Sequence, residues 1–205
     1  MKGHKKKNMD ERPSLNVNVI GNRTIYFCGD VTENSISRIN TELIKMITMI
    51  INQAKLIKDF EPGHINLIIE SAGGNVADMW ALIDLMIKSP IPIYTYALGN
   101  VYSAALIIFI AGSVRYVASH TELMYHEASS SAIGKMSEIN ETTENGKKTQ
   151  QIIDDFVVHR TKLKKKKLDE IKKTKTDYFF YKKEALELGV ATNEFDMKDW
   201  AELMY

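Results

Sequence analysis

The apolar residues of this chain fall into short blocks whose spacing alternates between that of strands and that of helices. Residues 17–28 (VNVIGNRTIYFC) predict one or two short strands around the Gly21-Asn22 turn. Residues 30–35 are expected to form a turn. Apolar positions then recur at helical spacing from Ile36 to Ile57, which predicts an amphipathic helix. An apolar strand is expected at residues 65–70 (INLIIE).

The next block begins with a glycine turn. Ser71-Ala72-Gly73-Gly74 follows the strand, and a second helix is predicted from Val76 to Lys88 before two prolines end it. The buried face of this helix is expected to consist of Met79, Trp80, Ile83 and Ile87.

The same alternation continues toward the middle of the chain. Residues 93–98 predict a strand, Gly99 a turn and residues 104–111 an apolar helix, and two more strands are expected at residues 114–118 and 122–126. Strands that alternate with helices imply βαβ units. We therefore predict an α/β fold with a mostly parallel sheet that is covered on both faces.

Beyond His126 the pattern becomes polar. Residues 127–134 (EASSSAIG) are small and polar. They precede a long helix predicted at about residues 136–166, in which apolar residues become frequent only near Ile152. A helix with so polar a beginning is not expected to lie wholly on one core. It is expected to project from the body or to meet a partner subunit.

Composition excludes several classes of protein. The chain has 205 residues, 44% of them hydrophobic, and 27 basic against 26 acidic residues, so no global charge favours a nucleic-acid partner. The basic tail at residues 1–16 lacks the apolar region of a secretory signal, and no apolar stretch is long enough for a membrane span.

The single cysteine, Cys28, excludes a disulfide framework and is expected to be a buried core residue in a cytoplasmic protein. The lysine-rich residues 164–175 are interpreted as a solvated face.

Four positions together suggest acyl-transfer chemistry. Ser103 stands before the apolar helix, where unpaired N–H groups and the positive end of the helix dipole favour a developing negative charge. The N–H groups of Ala104 and Gly74 are candidate oxyanion donors, and His126 ends an apolar strand as a candidate general base. Taken singly, Ser103 is more typical of a helix cap, His126 of a structural residue and the glycine pair of a simple turn. The residue that would orient the histidine stays open among Asp154, Asp155, Asp169 and Asp177.

Five stretches in order resemble motifs of the Clp protease proteolytic subunit. They are Arg23–Val31, the Ser71–Gly74 turn, Gly99–Ala105, Thr121–His126, and Asp177–Phe180 with Glu184–Val190. The resemblance covers roughly residues 22–195 and implies a Clp/crotonase-like fold of repeated βαβ units with a projecting handle at about residues 127–166.

The resemblance also implies a function. A serine endopeptidase of the Clp type is expected, with Ser103 as nucleophile, His126 as base, Asp177 as the residue that orients it, and Gly74 and Ala104 as the oxyanion hole. It implies polypeptide substrates, stacked rings of identical subunits and an AAA+ ATPase unfoldase as partner, and it requires no metal or organic cofactor. The chain would then divide into a tail at residues 1–16, a Clp-protease-like domain at residues 17–195 and an extension at residues 196–205.

The chain departs from the family pattern at several positions. Ala72 replaces a proline, Ala105 a glycine, and Glu127-Ala128 a glutamine-proline pair, while the apolar N-terminal segment of the family is not recognisable. Three other functions are therefore kept as hypotheses: a catalytically inactive or weak ring subunit, a crotonase-type acyl-CoA enzyme, and a Ser-Lys peptidase of the signal-peptide-peptidase type.

Overall fold

Strands and helices alternate through residues 17–129 and 133–196, which are the residues described by this computed structural model. In this part of the chain the strands are β1 (Val17–Ile20), β2 (Thr24–Cys28), β3 (Ile65–Ser71), β4 (Ile93–Tyr102), β5 (Arg115–Val117), β6 (Glu122–Tyr125), β7 (Tyr178–Tyr181) and β8 (Asn193–Glu194). The helices are α1 (Glu33–Leu56), α2 (Val76–Lys88), α3 (Ala104–Ala111), α4 (Met136–Arg160), α5 (Lys165–Thr174) and α6 (Lys182–Glu187). The tail at residues 1–16 and most of the extension, including Trp200 and Leu203, lie outside the described residues.

The strands form one mixed sheet that branches at β4. Its main order is β1-β2-β3-β4-β5-β8, and β6 pairs with β4 while β7 pairs with β6. The pairs β1–β2 and β6–β7 are antiparallel, and all the others are parallel. The predicted α/β fold with a mostly parallel sheet is confirmed. None of the helices in this part of the chain combines the length and the apolar character needed to cross a bilayer.

The helix α1 begins earlier than its apolar pattern predicts. The hydroxyl of Thr32 accepts a hydrogen bond from the N–H of Ser35, and the Ser35 hydroxyl accepts one from the N–H of Thr32. This reciprocal cap starts the helix at Glu33, three residues before the first apolar position. The expectation that Cys28 is a core residue is wrong, because its thiol lies half-buried on the sheet face opposite the buried Phe27.

The predicted bounds of α2 are confirmed, but its buried face is displaced. Met79 and Ile83 are fully buried, Trp80 is partly buried and Ile87 is 45% exposed. The other buried residues are Leu82 and Met86. The buried residues of α2 follow the spacing i, i+3, i+4, i+7 from Met79, and Ile87 lies at the outer edge of this buried face.

Strand β4 is longer than predicted, because Gly99 does not end it. Gly99 has φ +58° and lies within the strand, where the register against β3 shifts between Ile69 and Ser71. Before this irregularity β4 pairs with β5, and after it β4 pairs with β6 from Asn100 to Tyr102. The bulge therefore allows β4 to pair with β5 along its first part and with β6 along its last part.

The single polar helix predicted at residues 136–166 is in fact two helices. Helix α4 ends at Arg160, where Thr161 adopts an extended backbone and its hydroxyl accepts a hydrogen bond from the N–H of Leu163. Leu163 is buried, so this short link is attached to the core. Most residues of α4 are exposed before Gln150, and the second half of the helix packs on the body. A handle that projects at its beginning is thus present.

All eight residues of α3 are buried, and its carbonyl end is covered by arginines. The Arg160 guanidinium donates to the carbonyls of Ile110, Ala111 and Gly112 at 2.9 Å. The buried Arg115 donates to Gly112 as well. These carbonyls have no partner within α3, and positive charge at a helix carboxyl end is favourable.

We predict that Arg160→Met lowers the free energy of unfolding by roughly 2–4 kcal/mol, because it leaves buried carbonyls without their charged donors. Urea denaturation measures the change. The exposed Arg38 of α1 supplies the control, since Arg38→Met is expected to change stability by less than about 0.5 kcal/mol. Equal effects of the two variants would contradict the role of Arg160 at the end of α3.

Candidate active site

Two parallel strands bring a serine and a histidine together. Tyr102 of β4 pairs with Met124 of β6, so Ser103 and His126 follow the carboxyl ends of adjacent strands. The N–H of Ser103 donates to the carbonyl of Met124 at 2.9 Å. The Ser103 Oγ and the His126 Nε2 are 2.7 Å apart, although the residues are 23 positions apart in sequence. The two side chains are within hydrogen-bond distance.

The backbone of Ser103 is strained. Its φ of +54° and ψ of −125° are unusual for a residue with a side chain. Ser103 occupies the position before α3, but its hydroxyl does not cap the helix and is directed to His126 instead. The interpretation of Ser103 as a helix-capping serine is therefore wrong.

The glycine turn after β3 is packed against this serine. A Cβ atom on Gly73 would lie 2.8 Å from the Cβ of Ser103 and 2.8 Å from the carbonyl oxygen of Tyr102. Gly73 also has φ +98°, so only glycine fits without displacement. The sequence drew attention to Gly74. The close contact of Gly73 with Ser103 was not evident from it, since a Gly-Gly pair does not reveal which glycine faces a neighbour.

Gly74 and Ala104 lie on the wall of a small cavity with Ser103 and His126. Gly74 forms a parallel bridge with Val31 that uses the carbonyl of Gly73 and the N–H of Asn75. The N–H of Gly74 consequently lies on the side away from Val31. The cavity has a volume of about 60 Å³, and its other lining residues are mainly apolar: Val76, Met79, Ile107, Tyr125, Ala128, Ser129 and Ile153.

Asp177 lies near His126 but forms no hydrogen bond or ion pair with it. The two residues line a second cavity of about 250 Å³, together with the end of α5 and residues 127–129. Asp177 is exposed, and in the described part of the chain its carboxylate forms no hydrogen bond to the imidazole. Asp155 and Asp169 are exposed partners of lysines instead.

The fourth aspartate, Asp154, belongs to a buried polar cluster behind the histidine. Its Oδ1 accepts hydrogen bonds from the Tyr125 hydroxyl and the Gln150 Nε2, both at 2.6 Å, and its Oδ2 is paired with Lys172. Gln150 in turn accepts a hydrogen bond from the N–H of Ala128 at 2.8 Å. Burial and the bond to Asp154 raise the pKa of Tyr125. No sequence motif indicated this cluster, whose members come from three separate segments of the chain.

The pKa of Lys172 is raised as well. Burial alone lowers it, but the hydrogen bonds and negative charges of Asp154 and Asp169 outweigh that effect. The cluster thus holds Lys172 as a cation beside a carboxylate that is 1% exposed.

A comparison with protein families agrees with the fold and with the sequence motifs. Residues 15–195 match the family model described as Clp protease, which is most of the 205 residues. The chain belongs to the Clp protease family. The resemblance noted from the motifs and the predicted fold class are both confirmed. Membership supports a Clp-type peptidase that acts on peptides, and it favours an oligomeric assembly.

The contact between Gly73 and Ser103 predicts a specific defect in this Clp protease family member. The added methyl of Gly73→Ala is expected to displace Ser103 from His126 and to slow labelling of Ser103 by a fluorophosphonate about 10²-fold, as a misplacement of ~1 Å can. Gly63 also has positive φ, but its Cβ would meet only the flexible end of Arg23. Gly63→Ala should therefore be labelled at the normal rate, and equal slowing of both variants would contradict the prediction.

The pKa of Lys172 predicts an alkaline loss of stability. The pKa of Lys172 is higher in the folded protein than its unfolded value of 10.5. Such a base stabilises the protein at pH values below its unfolded pKa, and this stabilisation is lost as the pH rises through its folded pKa. The difference in unfolding free energy between the wild type and Lys172→Met should thus be constant near pH 8 and shrink above about pH 10.5. Urea titrations across this range measure it. The exposed Lys173 gives the control: Lys173→Met is expected to change the unfolding free energy at pH 8 by less than about 0.5 kcal/mol.

Proposed function

We propose that this protein is a serine endopeptidase of the Clp type in which Ser103 is the nucleophile and His126 the general base. The observation that carries the proposal is the 2.7 Å distance between the Ser103 Oγ and the His126 Nε2. A serine with strained backbone, held against an imidazole beside a helix amino terminus, has the arrangement that acyl transfer needs.

The reaction follows from this pair. The Ser103 oxygen attacks the carbonyl carbon of a peptide bond while the Nε2 of His126 takes the hydroxyl proton. The tetrahedral intermediate then loses its C–N bond, and His126 gives the proton to the leaving amine. Water attacks the resulting acyl-serine in the same way, with His126 again accepting and returning one proton, which releases the carboxylic acid and restores Ser103.

Gly74 and Ala104 are proposed to supply the oxyanion hole. Ala104 is the first residue of α3, so its N–H has no partner within the helix. The N–H of Gly74 lies on the side of the turn opposite Val31, and both residues line the cavity at Ser103. Two such donors stabilise the negative oxygen of the intermediate.

Asp177 is proposed to orient His126. A proton can pass from Ser103 to Nε2 only if the resting imidazole carries its proton on Nδ1, and a carboxylate acceptor fixes that tautomer. Asp177 shares the cavity beside His126, so closure of residues 175–177 onto the ring would complete the triad.

The proposal extends to assembly. Ile133, just before α4, and Met136, its first residue, are 101% and 71% exposed, and most of the first half of α4 is exposed as well. We propose that this region joins identical subunits into stacked rings that enclose a chamber, fed with polypeptides by an AAA+ ATPase unfoldase, in the cytoplasm and without a cofactor. The division into a tail at residues 1–16, a catalytic domain at 17–195 and an extension at 196–205 belongs to the same proposal.

A specific observation favours a second candidate function. A cavity separates Asp177 from His126, so the imidazole lacks its carboxylate partner. An incomplete triad of this kind is expected in a weak or inactive ring subunit that is retained for assembly. Such a subunit would keep the fold and the handle, but its serine would react slowly or not at all.

Labelling of the purified protein with a fluorophosphonate decides between the two candidates. We expect covalent labelling of the wild type and hydrolysis of a fluorogenic peptide, and we expect Ser103→Ala to abolish both while it leaves the light-scattering mass unchanged. A wild type that is not labelled would support the inactive subunit. Labelling that persists in Ser103→Ala would place the nucleophile elsewhere.

Asp177→Asn tests the third residue in the same assay. We expect the folded variant to be labelled slower by orders of magnitude, on the order of 10⁴ when an orienting aspartate is lost. Asp155→Asn is the control, because Asp155 is an exposed partner of Lys165. A nearly normal rate in Asp177→Asn would mean that another group orients His126.

A further inference from the structure

The cluster around Asp154 has a geometry that ordinary packing does not require. Asp154 and Asp155 are consecutive acids on α4, yet the Asp154 side chain is 1% exposed and that of Asp155 is 61% exposed. A buried carboxylate is costly unless it is fully paired, and Asp154 is paired with donors from three different segments.

Two of these connections reach the immediate neighbours of His126. The Tyr125 hydroxyl donates directly to Asp154, and Tyr125 is the residue before the histidine. Ala128, two residues after it, donates its N–H to Gln150, whose amide donates to the same Asp154 oxygen. His126 is thus held on both sides by one carboxylate, although it does not contact that carboxylate.

The third connection reaches the segment that carries Asp177. Lys172 of α5 is paired with the second oxygen of Asp154. Helix α5 ends at Thr174, and the left-handed backbone of the next residue, Lys175, turns the chain toward Asp177 two residues later. Ile171, the neighbour of Lys172, also lines the cavity between Asp177 and His126.

We propose that Asp154 is a positioning residue that fixes His126 and the Asp177 segment relative to each other from behind the site. Hydrogen bonds are directional, so one carboxylate shared by β6, α4 and α5 restricts the relative movement of all three. The inference rests on the proposed function, since positioning matters for catalysis only if His126 is the base.

Two substitutions test this role, with the neighbouring acid as control. Asp154→Asn removes the charge that holds Lys172, and Tyr125→Phe removes only the hydroxyl that reaches the carboxylate. Asp155→Asn is the matched control on the same helix. The fraction of active sites in each variant is measured from the final extent of fluorophosphonate labelling. The kcat per active site and the KM are then measured with one fluorogenic peptide.

We expect Asp154→Asn and Tyr125→Phe to lower kcat per site about 10- to 100-fold, with KM unchanged and with Asp155→Asn equal to the wild type. A purely structural role would reduce the number of labelled sites and leave kcat per site at its normal value, and that result would overturn the proposal. Tyr125→Phe keeps the ring in the core, so it provides the answer if Asp154→Asn fails to fold.

A separate measurement distinguishes failure of this proposal from failure of the proposed function. If the wild type neither reacts with the fluorophosphonate nor hydrolyses peptide, the proposed function is wrong. The imidazole signal of His126, assigned in ¹³C-histidine-labelled protein by its absence from His126→Gln, then reports the position of the ring. A shift of this signal in Tyr125→Phe but not in Asp155→Asn supports the positioning role, and an unchanged signal in Tyr125→Phe overturns it.

Discussion

The parallel pairing of the second half of β4 with β6 is the constraint on which the site depends. It places the residues after both strands at one edge of the sheet and brings Ser103 to 2.7 Å from His126. This pairing exists because the bulge at Gly99 redirects β4 from β5 to β6. A regular strand would have continued along β5, and the two side chains would have had no common edge.

Helix α3 stabilises the same arrangement from its two ends. Its amino end begins directly after the strained Ser103, and its carboxyl end is held by Arg160 and Arg115. Arg115 is the first residue of β5 and Arg160 the last residue of α4, so the strain at Ser103 is balanced by contacts at the opposite end of α3. This is the usual condition under which an unfavourable backbone conformation persists at a functional site.

The elements that depend on the local sequence pattern are predicted correctly from the sequence. The features that depend on contacts between distant residues are not. The bounds of α2 and the β1–β2 hairpin followed from periodicity and turn residues. Gly99 was interpreted as the end of a strand, because glycine has the same local signature in a turn and in a bulge. Ser103, His126, Gly74 and Ala104 could be proposed from motifs, whereas the role of Asp154 depends on Tyr125 and Lys172, which are 29 and 18 positions away.

The two halves of α4 differ in what keeps them helical. From Gln150 onward the helix is held by buried side chains and by the Asp154 cluster, so it can open only when the body opens. Before Gln150 it is nearly all exposed and contains Gly146 and several threonines, which are weak helix formers. A stretch of about 14 residues without tertiary support is marginally helical in water. Its free energy of local opening is therefore small, and any surface that covers this half determines how much of the time it is a helix.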